Sequence, residues 1–154
     1  MSQTLRYRLF GIGAMPPALH AAAEREGPIV LAEGVATTLR RSGRVPGRVV
    51  CGEVRALSGA LAVTDRRVVG TVGRHKVLDF PFSAAGPGPA TVTLGPEGLV
   101  FALDLGRAVR GGSGGLTLHW KEPLRAEQLA RMPATTLTLP VDEQGALGLF
   151  QLLR

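Results

Sequence analysis

The chain predicts a mainly β protein, a small antiparallel barrel of about seven strands with accessory helices. Three observations carry this. Residues 59–82 alternate three short apolar runs with two polar turns, Thr-Asp-Arg-Arg at 64–67 and Gly-Arg-His-Lys at 73–76. That is the pattern of a three-stranded antiparallel meander. Residues 91–94 and 99–105 flank Gly95-Pro96-Glu97-Gly98, alternating runs on both sides of a short turn, which is a hairpin signal. Strands also follow strands along most of the chain, with one early helix and one late one, so a β-α-β alternation is excluded. Short strands at even spacing suit a barrel or two packed sheets.

The elements can be justified in order. Residues 4–10 place Leu5, Tyr7 and Leu9 at one parity and Arg6 and Arg8 at the other, which predicts a first strand. Pro16-Pro17 opens a helix through Glu26, because a proline in the first turn forgoes no bond the helix needs. Gly27-Pro28 stops it. Residues 29–40 form a long extended run, and Glu33-Gly34 within it predicts a bulge. Residues 41–47 contain Ser, Gly and Pro and read as a loop. Residues 48–57 are again strand-like, with the imperfect alternation of a strand near an edge or one that curves. Ser58-Gly59 is expected to turn the chain into the meander.

Within the meander Leu61 and Val63, then Val68 and Val72, then Leu78, Phe80 and Phe82 share parities, so each strand offers one apolar face. Pro81 lacks an N–H and belongs at an edge or a strand end. Residues 84–90 and the basic, Gly-rich 107–115 read as loops. Leu116, Leu118 and Trp120 point inward from the next strand. Pro123 is expected to start a helix ending before Pro133, with Leu124, Leu129 and Met132 buried. Residues 136–139 add a strand, and Leu149, Leu152 and Leu153 mark one face of a final helix.

Composition bounds the function. One domain accounts for 154 residues. Cys51 is the lone cysteine, expected as a small buried hydrophobe, and it precludes an intrachain disulfide. No run of 18 apolar residues exists, and Gly11, Gly13, Pro16 and Pro17 spoil a signal peptide, so an intracellular protein, at most peripheral at the membrane, is expected. The net charge is +6, from 16 arginines and 2 lysines against 12 acidic residues. Abundant Arg, Ala, Gly and Pro is what GC-rich codons encode, so a basic balance alone names no partner.

The run Leu61-Ala62-Val63-Thr64-Asp65-Arg66-Arg67-Val68-Val69, followed by Lys76-Val77-Leu78-Asp79-Phe80-Pro81, resembles bacterial pleckstrin-homology-like and GRAM-like domains. Val30-Leu31-Ala32-Glu33-Gly34-Val35 looks like the opening of such a domain. The resemblance covers residues 29–132, leaving 1–28 and 133–154 as extensions of one domain. It implies a seven-stranded barrel with the helix after Trp120 plugging one end, and a binding role rather than catalysis. The Thr64–Arg67 turn also has a local rationale, since Asp65 and, more weakly, Thr64 accept backbone N–H bonds.

Motifs for chemistry are few. His20, His75 and His119 lack metal-ligand spacing. Gly111-Gly112-Ser113-Gly114-Gly115 matches Gly-x-Ser-x-Gly, but a nucleophile elbow needs a strand before it and a helix after it, and here a strand follows. Gly11-Ile12-Gly13 lacks the third dinucleotide-fingerprint glycine. No cofactor is expected. Nine Lys/Arg residues lie between Arg40 and Lys76 against Glu53 and Asp65. The turns at 41–47 and 73–76 are expected to share a rim, giving Arg40, Arg41, Arg44, Arg48, Arg74 and Lys76 as binding residues. The leading reading is a non-catalytic module for a protein or peptide partner at a sheet edge. An anionic lipid surface is the alternative, and an unrecognised hydrolytic site the third. Nucleic acid is disfavoured by the scarcity of aromatics.

Overall fold

The computed structural model describes residues 3–152. The chain is mainly β, one curled antiparallel sheet of eight strands that closes into a half-barrel, with a few helices. Two helices come first, α1 (Leu5–Phe10) and α2 (Pro17–Glu26). The strands are β1 (Val30–Val45), β2 (Arg48–Val63), β3 (Arg67–Val72), β4 (His75–Pro81), β5 (Ala90–Gly95), β6 (Gly98–Asp104), β7 (Ser113–Trp120) and β8 (Thr136–Leu139). Their order across the sheet is β4-β3-β2-β1-β7-β6-β5-β8. The short helix α3 (Leu105–Ala108) links β6 to β7, α4 (Ala126–Arg131) precedes β8, and α5 (Glu143–Leu152) ends the described chain.

The inward parity of each strand builds the core. Leu39, Leu61, Val68, Leu78, Phe101, Leu118 and Trp120 all lie in one buried cluster with Phe150 of α5. Trp120 organises the middle. Its indole N–H donates to the Thr71 carbonyl at 2.9 Å. Gly59 and Gly70 lie against the ring, where any side chain would collide with it. Gly59 is therefore a strand residue that makes room for an aromatic. It is not a turn, and β2 runs through Ser58-Gly59 without interruption.

Four further expectations are corrected. Residues 5–10 form a helix. Leu5 and Leu9 are four apart and share its exposed face, Tyr7 packs on Gly34, and the Thr4 hydroxyl accepts the Tyr7 amide at the start of the helix. Six alternating residues fit either period, and no neighbouring strand is there to pair with them. The segment 41–47 is a hairpin rather than a loop: β1 continues to Val45, which pairs with Arg48 across Pro46-Gly47. Proline followed by glycine at φ 84° is the signature of a type II turn. Gly43 and Gly114 pair within the β1–β7 ladder, so those glycines mark close approach of two strands. The Gly-rich 107–115 segment is shared between α3, a tight turn and the start of β7. The helix after Pro123 starts only at Ala126.

The C-terminal helix α5 supplies the last residues of the core. Ala146 and Phe150, four residues apart on α5, are fully buried, and Leu149 is half-buried. The Leu152 side chain and Leu153 lie outside what the structure describes. α5 enters the core, as does Leu105 of α3, whereas α4 has no buried residue. Leu124 and Met132 flanking α4 are buried as expected, and Leu129 is half-buried.

Other readings hold. The bulge falls where Glu33-Gly34 placed it: Glu33 pairs with Ala60 and Val35 with Gly59, leaving Gly34 extra at φ 67°. Pro81 is the last residue of an edge strand, so the ladder needs no N–H from it. The 64–67 turn is present, but Thr64 performs the role assigned first to Asp65. The buried Thr64 hydroxyl accepts the Arg66 and Arg67 amides, both at 3.1 Å, and donates to Glu26 of α2. Arg67 pairs with Asp79, and Arg66 faces solvent.

Candidate interaction surface

β1 and β2 form a hairpin that outgrows the rest of the sheet. β3 pairs with β2 only from Gly59 to Val63, and the turn after β3 ends at Ser58, whose carbonyl accepts the Gly73 amide. From Arg48 to Leu57, β2 has β1 on one side and, among the described residues, no strand on the other. The free edge is ten residues long, about 33 Å of extended chain at ~3.3 Å per residue. A second bulge bends it: Arg41 pairs with Glu53 and Gly43 with Val50, so β2 carries an extra residue, with Gly52 at φ 61°.

The hairpin has two unlike faces. Its inner face curls onto α5. Arg41, 3% exposed, donates from Nε to Glu53 and from its guanidinium to the Phe150 carbonyl. That carbonyl lies in the last turn of α5, where backbone acceptors lack helical partners and positive charge is favoured. Arg41 and Arg48 also sit 5.7 and 5.8 Å from the Phe150 ring centre, within reach of a cation–π attraction. The bond from Arg41 holds the Glu53 carboxyl below its ordinary pKa, with further help from the charges of Arg41, Arg55 and Arg48. This clamp ties the arm to the core.

The outer face and edge are open. Val49 is 63% and Val54 57% exposed, and Cys51 and Ala56 are exposed between and beside them. The expected burial of Cys51 fails because β3 stops ten residues short of the hairpin tip and, among the described residues, no strand covers that edge.

The six predicted binding residues therefore divide three ways. Arg41 and Arg48 face inward against Phe150. Arg40 and Arg44 are exposed on the opposite face. Arg74 and Lys76 are exposed at the β3–β4 turn, ten residues along β2 from the hairpin tip, and Lys76 contacts Asp79 at 3.2 Å. The two turns lie toward the same end of the strands but do not share a rim.

The histidines remain dispersed. His20 of α2 lies 3.6 Å from Glu24 and 3.4 Å from Glu33, and His119 contacts the Glu97 carbonyl at 2.9 Å. Among the described residues no group of three His, Cys, Asp or Glu side chains is placed to hold a metal. Ser113 begins β7, paired with Arg44, and is followed by strand rather than helix. No helix among the described residues is long and apolar enough to cross a membrane.

The free edge was half legible. The broken alternation of 48–57 signals it, but only the end point of β3 shows its length. The roles of Phe150 and Glu53 had no local signal, since Arg41 and Phe150 are 109 residues apart. No protein-family model, curated protein or solved structure matches the chain.

Proposed function

We propose that the protein is a non-catalytic binding module that captures an acidic, extended segment of a partner protein as an added strand on the β2 edge. The observation that carries this is the ten-residue stretch of β2 that has β1 on one side and, among the described residues, no strand on the other, bearing exposed Val49, Cys51 and Val54. An unpaired edge presents backbone donors and acceptors as a template for another chain. Alternate side chains then give specificity. Arg44 and Arg48 near the tip, with Arg55 further along, surround the edge with positive charge, and the nearest acid, Glu53, is engaged by Arg41. The same arginines oppose pairing of two identical edges, so the occupant is an acidic partner and not a second copy.

A pleckstrin-homology-like architecture fits this reading. Seven antiparallel strands, β1 to β4 and β5 to β7 as two meanders joined by the β1–β7 pair, precede a helix, and the Thr64–Arg67 turn joins β2 to β3. The eighth strand and α5 are additions to that plan. The peptide reading is favoured over a flat anionic membrane because the basic residues point in different directions instead of forming one plane.

The test is fluorescence anisotropy with a labelled ten-residue peptide of alternating Glu and Val, at low and at raised salt. Salt-sensitive binding is expected, and a Lys/Val peptide of equal length should not bind. Val49→Glu with Val54→Glu should weaken binding at least about tenfold. Equal binding of both peptides, or an unaffected double variant, would overturn the proposal.

A further inference from the structure

Among the described residues, the outer surface of the sheet is covered in one half only. α2 packs its Leu19 and Ala23, with Met15 before it, on the outward residues Ala60, Ala62 and Val69. The outward residues of β1, β7, β6 and β5 carry an open trough instead. Two cavities of about 630 and 400 Å³ meet there and share Arg40 and Thr117. Small residues lower its floor: Ser42, Ala102 and Gly115 stand where larger side chains would fill the space.

Charge and hydrogen-bonding capacity define what fits. Arg40, Arg107 and Lys121 border the trough, all exposed, and among the described residues none has a carboxylate partner. Both acids at its border are already engaged. Asp104 accepts the Gly106 and Arg107 amides at 3.0 and 3.3 Å, and Glu53 holds Arg41. Hydroxyls of Thr38, Thr91 and Thr117 add further donors. Three cations and these hydroxyls offer more donors than one carboxylate can accept, whereas a phosphate ester brings three strong acceptor oxygens and nearly two charges. No Phe, Tyr or Trp lines either cavity, so there is no platform for stacking a nucleobase.

We infer that the trough binds a small soluble organic phosphate with a polar, non-aromatic body. Arg40, where the two cavities meet, is the central contact, with Arg107 and Lys121 at its flanks. The cations line a recess rather than a protruding tip, which favours a free phosphate over a headgroup held in a bilayer. This site is independent of strand addition at the β2 edge, which supplies only the wall at Gly52–Val54.

Isothermal titration calorimetry with inorganic pyrophosphate tests the inference, with citrate as the carboxylate comparator. Pyrophosphate should bind at a stoichiometry of one and more tightly than citrate. Arg40→Ala should weaken it about tenfold, one charge-assisted contact, and Arg107→Ala or Lys121→Ala several-fold. Arg66→Ala, a solvent-facing arginine elsewhere, and Val49→Glu at the peptide edge should leave it unchanged. Three results would overturn the inference: no binding at millimolar pyrophosphate, citrate binding equally well, or Arg66→Ala weakening binding as much as Arg40→Ala. Co-sedimentation with phosphatidylcholine vesicles containing phosphatidic acid decides the source. Vesicle binding that pyrophosphate fails to displace would overturn the assignment to a soluble ligand.

Discussion

The two halves of β2 have opposite fates. From Ser58 to Val63 every residue is buried, and from Gly59 onward β1 lies on one side and β3 on the other. From Arg48 to Leu57 no residue is fully buried, and among the described residues only β1 is alongside. One continuous strand thus supplies the centre of the core and the most open edge of the sheet. The difference is set by where β3 stops, not by any change in β propensity, since Val49, Val50 and Val54 are as strand-prone as Leu61 and Val63. A strand that outgrows its neighbour is either a hazard or a binding surface. The clamp of Arg41 on Phe150 holds this one in place, which argues for the second.

The largest effect should come from the core half. Trp120→Ala removes the ring that fills the space left by Gly59 and Gly70, and should cost about 3–5 kcal/mol in urea unfolding. Loss of less than about 1 kcal/mol would show that Trp120 does not organise the centre.

Next comes the clamp. Arg41→Ala leaves the Phe150 carbonyl without the Arg41 donor and Glu53 with the longer 3.9 Å contact to Arg55, and should cost about 2–3 kcal/mol. The Glu53 carboxyl is lowered by Arg41, so its contribution is present above the ordinary carboxylate pKa and is lost as pH falls through the lowered value. The gap between wild type and Arg41→Ala should therefore be widest near neutrality and narrow below about pH 4. A gap independent of pH would remove Glu53 from the clamp.

A smaller effect of opposite sign is expected at Thr71. Its side chain is fully buried and its hydroxyl has no hydrogen-bond partner among the described residues. Thr71→Val keeps the shape, removes the unpaired group and should stabilise by about 1 kcal/mol. Destabilisation would indicate a bonded hydroxyl. Smallest of all, Val49→Glu and Val54→Glu should change stability by less than about 0.5 kcal/mol, because both side chains are already in water. A large loss would mean that the open half of β2 is covered after all.

Much of this fold was legible from alternation alone. The inward sets of β3, β6 and β7, Leu78 and Phe80 of β4, the bulge at Gly34 and the edge position of Pro81 all follow from period two and backbone chemistry, whereas Phe82 of the same parity set falls in a 3-10 turn after β4. Glycine was the main source of error. Gly43 and Gly59 read as turn residues because a sequence does not reveal what stands opposite them, and in the fold a facing strand and an indole ring do. The candidate site was less legible. Arg40 and Arg41 are adjacent and chemically identical, yet one faces a trough and the other a helix end. Parity separates them only once Leu39 is known to point inward, and nothing local names Phe150 as the target.

Hydrogen exchange along β2 tests the central claim most directly. In the free protein the amides of 59–63 should exchange slowly, while those amides of 48–57 that point away from β1 exchange fast. Saturating acidic peptide should slow that second group and leave the first unchanged. Slow exchange throughout 48–57 in the free protein, or no added protection at saturation, would contradict the account.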